Sequence, residues 1–273
     1  MDALATVPEH LAVDEVADLY HDIKETLQVP VINLVWRHLA SIDGALAQVW
    51  NCIKPLYRDR AFEAEAANLC DIDGVPELPK WPRSKLREIG IDTSDEKILR
   101  AVLANYHQSN PRNLVALMAL QAKLKGESGI QKTPSNVHST MPAAISIALP
   151  RLLQEEEMSA QTQHDARTLN NIGVNSTTAG IHAGVPRHLA HWPGFLQLSV
   201  EALLPYEPKN RTCIADAQGQ AADSGRSLID SLGGIRTGKA SREILSAVTL
   251  FTSRELIANY IVKVRMLQSA LPD

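Results

Sequence analysis

The sequence predicts an all-α protein, a pseudo-dimer of two related multi-helix repeats joined by a linker, with a pocket at the seam between them. Three observations predict it. Apolar residues recur at the helical period of about 3.6 along nearly the whole chain. No segment alternates apolar and polar residues as a half-buried strand does. The word RHLA is written twice, at residues 37–40 and 187–190.

The elements follow in order. Val16, Leu19, Tyr20, Ile23 and Leu27 fall on one face of a first helix. In TSDEKILRAVLANY, Thr93 and Glu96 have capping-box spacing, and Ile98, Leu99, Val102 and Leu103 supply the buried stripe. A separate helix is predicted for NPRNLVALMALQAKLKG, with Asn110 as its cap, Pro111 in its first turn and Gly126 at its end. From Gly126 to about Ala148 Gly, Pro, Ser and Thr are mixed without sustained periodicity, as in a connection between two halves. Further helices are predicted at 159–172, 195–204 and 209–232, with two more in SREILSAVTLFTSRELIANYIVKVRMLQSAL.

The repeat extends beyond four letters. RHLASIDGALAQVWNCIKP at 37–55 lies over RHLAHWPGFLQLSVEALLP at 187–205, and KILRAVL at 97–103 echoes EILSAVT at 243–249. The expected organisation is a first repeat over 1–125, a linker region over 126–158 and a second repeat over 159–273. Trp36, Trp50, Trp192 and Phe195 read as core at the repeat interface. His38 and His188 read as packed or carbonyl-capping histidines, and Arg37 and Arg187 as carboxylate binders or ion-pair partners.

Composition narrows the function. With 45% hydrophobic and 21% charged residues and a net charge of −4, neither disorder nor a nucleic-acid surface is indicated. No basic flank precedes an apolar core at the N-terminus, and no run approaches the roughly 20 apolar residues of a membrane span. A cytoplasmic protein without a membrane partner is expected. Cys52, Cys70 and Cys213 are odd in number and widely spaced, which fits reduced buried thiols, and no CxxC pair exists. No metal cluster, phosphate-binding glycine loop or cofactor motif is present, so neither metal nor cofactor is expected.

LYHDIKETLQVP at 19–30, the Lys54–Pro55 region with Arg60 and Glu63, YHQSNPRNL at 106–114, RHLAHWPGFL at 187–196 and LFTSRELIANYI at 250–261 occur in order over nearly the whole chain. Together they resemble the group I DL-2-haloacid dehalogenases, an all-helical two-repeat family. The resemblance implies hydrolysis of a carbon–halogen bond next to a carboxylate, without metal or organic cofactor, by water that an aspartate activates.

At that aspartate the sequence departs. The family's Ser-Asp falls on Gly184 and Val185, and no Asp or Glu occurs between Ala166 and Val200. The family's tryptophan and phenylalanine after the first VP correspond to Val31 and Leu34, its C-terminal tyrosine to Ser253, and its first-half threonine and glutamate to Asp59 and Glu63. Asn110 and Ile257 match. A base must titrate suitably and reach the water, so His182, three residues before Val185, and Glu63 are the candidate catalytic residues. Val31, Leu34, Asp59, Asn110, Gly184, Val185, Ser253 and Ile257 are the candidate pocket. Two functions fit: a hydrolase of small 2-substituted carboxylic acids whose base has moved, or a protein that binds a small organic molecule, such as a carboxylate, without that chemistry. A homodimer is compatible with either.

Overall fold

A computed structural model describes residues 4–131, 147–174, 183–236, 238–253 and 255–273. Twelve α-helices occur among them, and no strand. In chain order they are α1 (Asp14–Leu27), α2 (Leu34–Leu39), α3 (Ala45–Ile53), α4 (Arg60–Cys70), α5 (Arg83–Glu88) and α6 (Thr93–Leu124). There follow α7 (Ala160–Asn171), α8 (Gly184–Leu189), α9 (Pro193–Leu203), α10 (Glu207–Ser227), α11 (Lys239–Ser253) and α12 (Ala258–Ala270). The two RHLA words occupy corresponding places. Each ends a six-residue helix, α2 or α8, and is followed by a helix, a 3-10 turn and another helix.

The first helix forms as its spacing requires. Tyr20, Ile23 and Leu27 are its buried face, and Gln28 ends it in the left-handed conformation at φ 55°. Of the expected core aromatics, Trp36, Trp50 and Phe195 are fully buried. Trp36 and Trp50 meet edge to face with ring centroids 5.8 Å apart. Trp192 is partly buried and donates through Nε1 to Asp95 Oδ1 at 2.7 Å.

The middle of the first half differs from expectation in two ways. The cap of α6 is Asp92, whose Oδ1 accepts from Ser94 N at 2.7 Å and Asp95 N at 2.8 Å. Thr93 is thus the first helical residue, and the capping box pairs Asp92 with Asp95 rather than Thr93 with Glu96. A carboxylate caps better here because it also meets the positive end of the helix dipole.

The second difference is that α6 does not stop at Asn110. It runs unbroken through Pro111, so Asn110 is a buried mid-helix residue and not a cap. Proline lacks the N–H that His107 O would accept four residues back. Cys70 Sγ lies 3.5 Å from that oxygen and donates to it instead. Tertiary packing supports the continuity, because α6 contacts α3, α4, α8, α10, α11 and α12 and is buried almost continuously from Ala101 to Ala122.

Helices α6 and α10 approach closely at Gly225. A Cβ there would stand 2.6 Å from Ala119 N and 2.7 Å from Met118 C, backbone atoms that cannot swing aside. Gly225→Ala is expected to force the helices apart and cost about 1–3 kcal/mol, read as a lower urea midpoint at unchanged slope.

Residues 126–131 and 147–154 carry no helix, while 132–146 lie outside the described residues. Cys52, Cys70 and Cys213 are buried and form no disulfide. Among the described residues no helix is long and apolar enough to cross a membrane, and no group of three His, Cys, Asp or Glu side chains is placed to hold a metal.

Candidate functional site

Four elements surround one cavity. The start of α2 contributes Asn33, Leu34 and Val35, and the start of α8 contributes Ala183, Gly184 and Val185. From α6 come Tyr106, Asn110 and Asn113, and from the C-terminal segment Phe251, Leu256, Ile257 and Tyr260. The cavity encloses about 450 Å³ not occupied by atoms, part of it open to solvent. On α6 the three residues stand at i, i+4 and i+7, one helical stripe turned to one side.

The walls differ in character. Leu34, Val35, Val185, Phe251, Leu256 and Ile257 are apolar, whereas Asn33, Asn110, Asn113 and Tyr106 bring polar atoms. Asn33 Nδ2 donates to Ser109 Oγ at 3.0 Å and to Asn110 Oδ1 at 3.3 Å. Asn113 is 1% exposed, and its Nδ2 and Oδ1 have no protein partner. Among the described residues no carboxylate lines the cavity.

Tyr106 in the wall pairs with His188, which stands behind it and outside the wall. Tyr106 Oη lies 2.9 Å from His188 Nδ1, and His188 Nε2 lies 2.8 Å from the carbonyl oxygen of Pro150. A carbonyl only accepts, so Nε2 carries the ring proton, Nδ1 is the acceptor, and the tyrosine hydroxyl donates. Burial pushes the His188 pKa down to about 4, and the Pro150 hydrogen bond only partly opposes it. Burial also raises the Tyr106 pKa, against the pull of Arg37 and Arg187. Both groups are therefore neutral at pH 7. Gly184 makes room for this pair, since a Cβ on it would stand 2.4 Å from the tyrosine oxygen.

The expected site residues are distributed as follows. Leu34, Asn110, Gly184, Val185 and Ile257 come together in the cavity wall, and Val185 is 1% exposed. Val31 is buried but outside the wall, and Ser253 is exposed beside a different depression with His38 and Ile42. Asp59 caps α4 by accepting from Ala61 N at 2.8 Å and also accepts from Ser231 Oγ. Glu63 accepts from Arg112 Nη2 at 2.8 Å and lies outside the wall. His182 falls outside the described residues. Arg37 is buried with Nε and Nη2 unpartnered, Arg187 Nε donates to Leu153 O, and neither lines the cavity.

Asn33, Asn113 and Tyr106 were not singled out from sequence. For the two on α6 a signal existed: once Asn110 is placed inside a helix, the residues four before and three after it share its face.

Residues 30–177 match the family described as Halocarboxylic acid dehydrogenase DehI. The chain belongs to this family. Relatives of this DehI-family chain include the (R)-2-haloacid dehalogenase of Pseudomonas putida, 24% identical over 73% of this chain and 67% of that protein. The configuration-inverting 2-haloacid dehalogenase of Pseudomonas sp. (strain 113) is 24% identical over 71% of this chain and 64% of its own length. That of Alcaligenes xylosoxydans xylosoxydans is 25% identical over 86% of this chain and 79% of its own. The chain thus spans about two thirds of the length of the first two relatives. A solved D-2-haloacid dehalogenase mutant in complex with D-2-CPA superposes with a TM-score of 0.77 at 19% identity, over 98% of this chain and 95% of that one. That likeness establishes the all-helical DehI fold.

Proposed function

We propose that this DehI-family chain hydrolyses the carbon–halogen bond of small 2-halogenated carboxylic acids in the cavity between α2, α6, α8 and the C-terminal segment, with water activated by a group other than residue 185. The relatives' names supply the substrate class, and the cavity supplies fitting chemistry. The apolar wall suits a halogen and a short alkyl chain, and the carboxamides suit the oxygens of the acid.

The observation that carries this reading is Asn113. A buried carboxamide with neither atom hydrogen-bonded costs stability, about 1–3 kcal/mol per orphaned group. A substrate carboxylate that accepts from Nδ2, together with a water that donates to Oδ1, offsets that cost. We further read the cavity as the seam of a duplicated fold, because α2 and α8, which carry the two RHLA words, each turn their first residues toward it.

Halide release from both enantiomers of 2-chloropropionate and 2-bromopropionate, with no metal or cofactor added, is the test. Time-dependent release is expected, and its absence from all four overturns the reading. Asn113→Leu is expected to separate stability from function. Removing the orphaned atoms should raise the melting temperature, while the substrate KM rises about ten-fold, equivalent to roughly 1.4 kcal/mol.

The absence of a carboxylate from the described cavity wall favours one other reading, a pocket that binds the acid without turning it over. Calorimetric binding of 2-chloropropionate with no halide released would establish it.

A further inference from the structure

We propose that Tyr106 is the catalytic residue that takes the proton of the attacking water, relaying its own hydroxyl proton to His188, and that this pair does the work for which residue 185 has no group. The inference rests on the hydrolytic reading above.

Geometry carries it. Among the described residues Tyr106 is the one titratable lining residue whose hydroxyl has a base directly behind it. The 2.9 Å contact is of hydrogen-bond length, and the Pro150 carbonyl fixes the ring so that the unprotonated nitrogen faces the phenol. Rings of Tyr106 and His188 also pack at 5.6 Å between centroids, which holds the pair in register. Gly184 and Tyr106 are complementary, because any side chain at 184 would occupy the place of the hydroxyl. Glycine at 184, where the family resemblance implies a serine, therefore leaves the space in which the phenol meets His188.

The step balances without an added reagent. A bond forms between the water oxygen and C2 as the C2–halogen bond breaks, and the halogen leaves with the bonding electrons as halide. One water proton passes to the Tyr106 oxygen while the phenolic proton passes to His188 Nδ1. The products are the 2-hydroxy acid, halide and an imidazolium, which afterwards returns its proton to solvent by the same route. Burial disfavours a free phenolate, so the two proton transfers must be concerted. A histidine with a pKa of about 4 is as basic as an ordinary carboxylate, the kind of base that the family resemblance implies.

His188 acts through Tyr106 and is a positioning residue and proton acceptor. The charged and titratable groups around the pair are Arg37 on α2, Arg187 on α8, His191 just beyond it, Glu9 in the N-terminal segment and Tyr260 on α12. The two arginines and His191 oppose formation of the imidazolium, and the substrate carboxylate favours it.

The test compares halide release by the full chain with that of Tyr106→Phe and His188→Gln, over pH 3.5–9. Tyr106→Phe is expected to lower kcat about 100-fold or more, with KM changed less than about three-fold. The wild type should show an acid limb in kcat/KM near pH 4 that is missing from the residual activity of His188→Gln. Wild-type release that survives Tyr106→Phe overturns this inference alone. Absence of wild-type release overturns the hydrolytic reading and this inference with it. Should Tyr106→Phe fail to fold, the wild-type profile still decides, because a flat profile down to pH 3.5 contradicts proton transfer to His188.

Discussion

Gly184→Ser, alone or with Val185→Asp, is expected to destabilise the protein and slow halide release instead of improving it. The double substitution writes the Ser-Asp dipeptide that the family resemblance places at these positions. The obstacle at 184 is steric. A Cβ would come within 2.4 Å of Tyr106 Oη and 3.2 Å of its Cζ, so the phenol must leave its place against His188. Overpacking of this kind costs about 1–3 kcal/mol. Moving the hydroxyl should also lower kcat about 100-fold, the usual contribution of a positioned proton acceptor. At 185 the obstacle is dielectric. The site is 1% exposed and shares its wall with Leu34, Phe251 and Ile257. Burial there holds a carboxyl protonated, and a neutral acid accepts no proton. Urea denaturation and a halide assay on both single variants and the double variant separate the two obstacles. A double variant as stable as the wild type and faster than it would refute the account of both positions.

The second large effect is a loss of stability in mild acid. His188 has a pKa of about 4 in the fold, against the ordinary 6.5, because its ring is buried between Tyr106 and Pro150. The unfolded chain binds this proton more tightly than the folded one, so acid favours unfolding. His188 therefore leaves stability complete above about pH 6.5 and diminishes it as pH falls toward 4. A difference of that size corresponds to at most roughly 3 kcal/mol over the whole window. His107 on α6 is also pushed down by burial and adds to the same trend. The informative quantity is thus the difference between wild type and His188→Gln in unfolding free energy at pH 7, 5.5 and 4.5. The wild type should fall more steeply, and parallel curves would show that His188 is not held neutral by the fold.

The fold class was legible because helical periodicity is a property of short stretches, as in Tyr20, Ile23 and Leu27 on α1. The length of α6 was not. Asn110–Pro111 carries the local signature of a helix start, but packing on six other helices and the thiol of Cys70 stabilise a continuous helix through it. That one misplacement concealed the polar side of the cavity, since Tyr106 and Asn113 share a face with Asn110 only when the helix runs through. Leu34, Gly184, Val185 and Ile257 were legible because each is fixed by a motif that resembles the family's. Ser253 and Asp59 were aligned by the same reasoning but stand elsewhere, Ser253 beside a different depression and Asp59 in a capping bond. The His188–Tyr106 contact joins residues 82 positions apart, and nothing local in either segment records it.

The central claim is that water attacks the substrate directly in a cavity whose described wall holds no carboxylate. A single-turnover reaction with enzyme in excess over 2-bromopropionate, run in water labelled with oxygen-18, tests it most directly. The account predicts that the hydroxyl of the 2-hydroxy acid carries the label fully in this first turnover. An unlabelled hydroxyl would mean that a protein oxygen displaced the halide, and would contradict it.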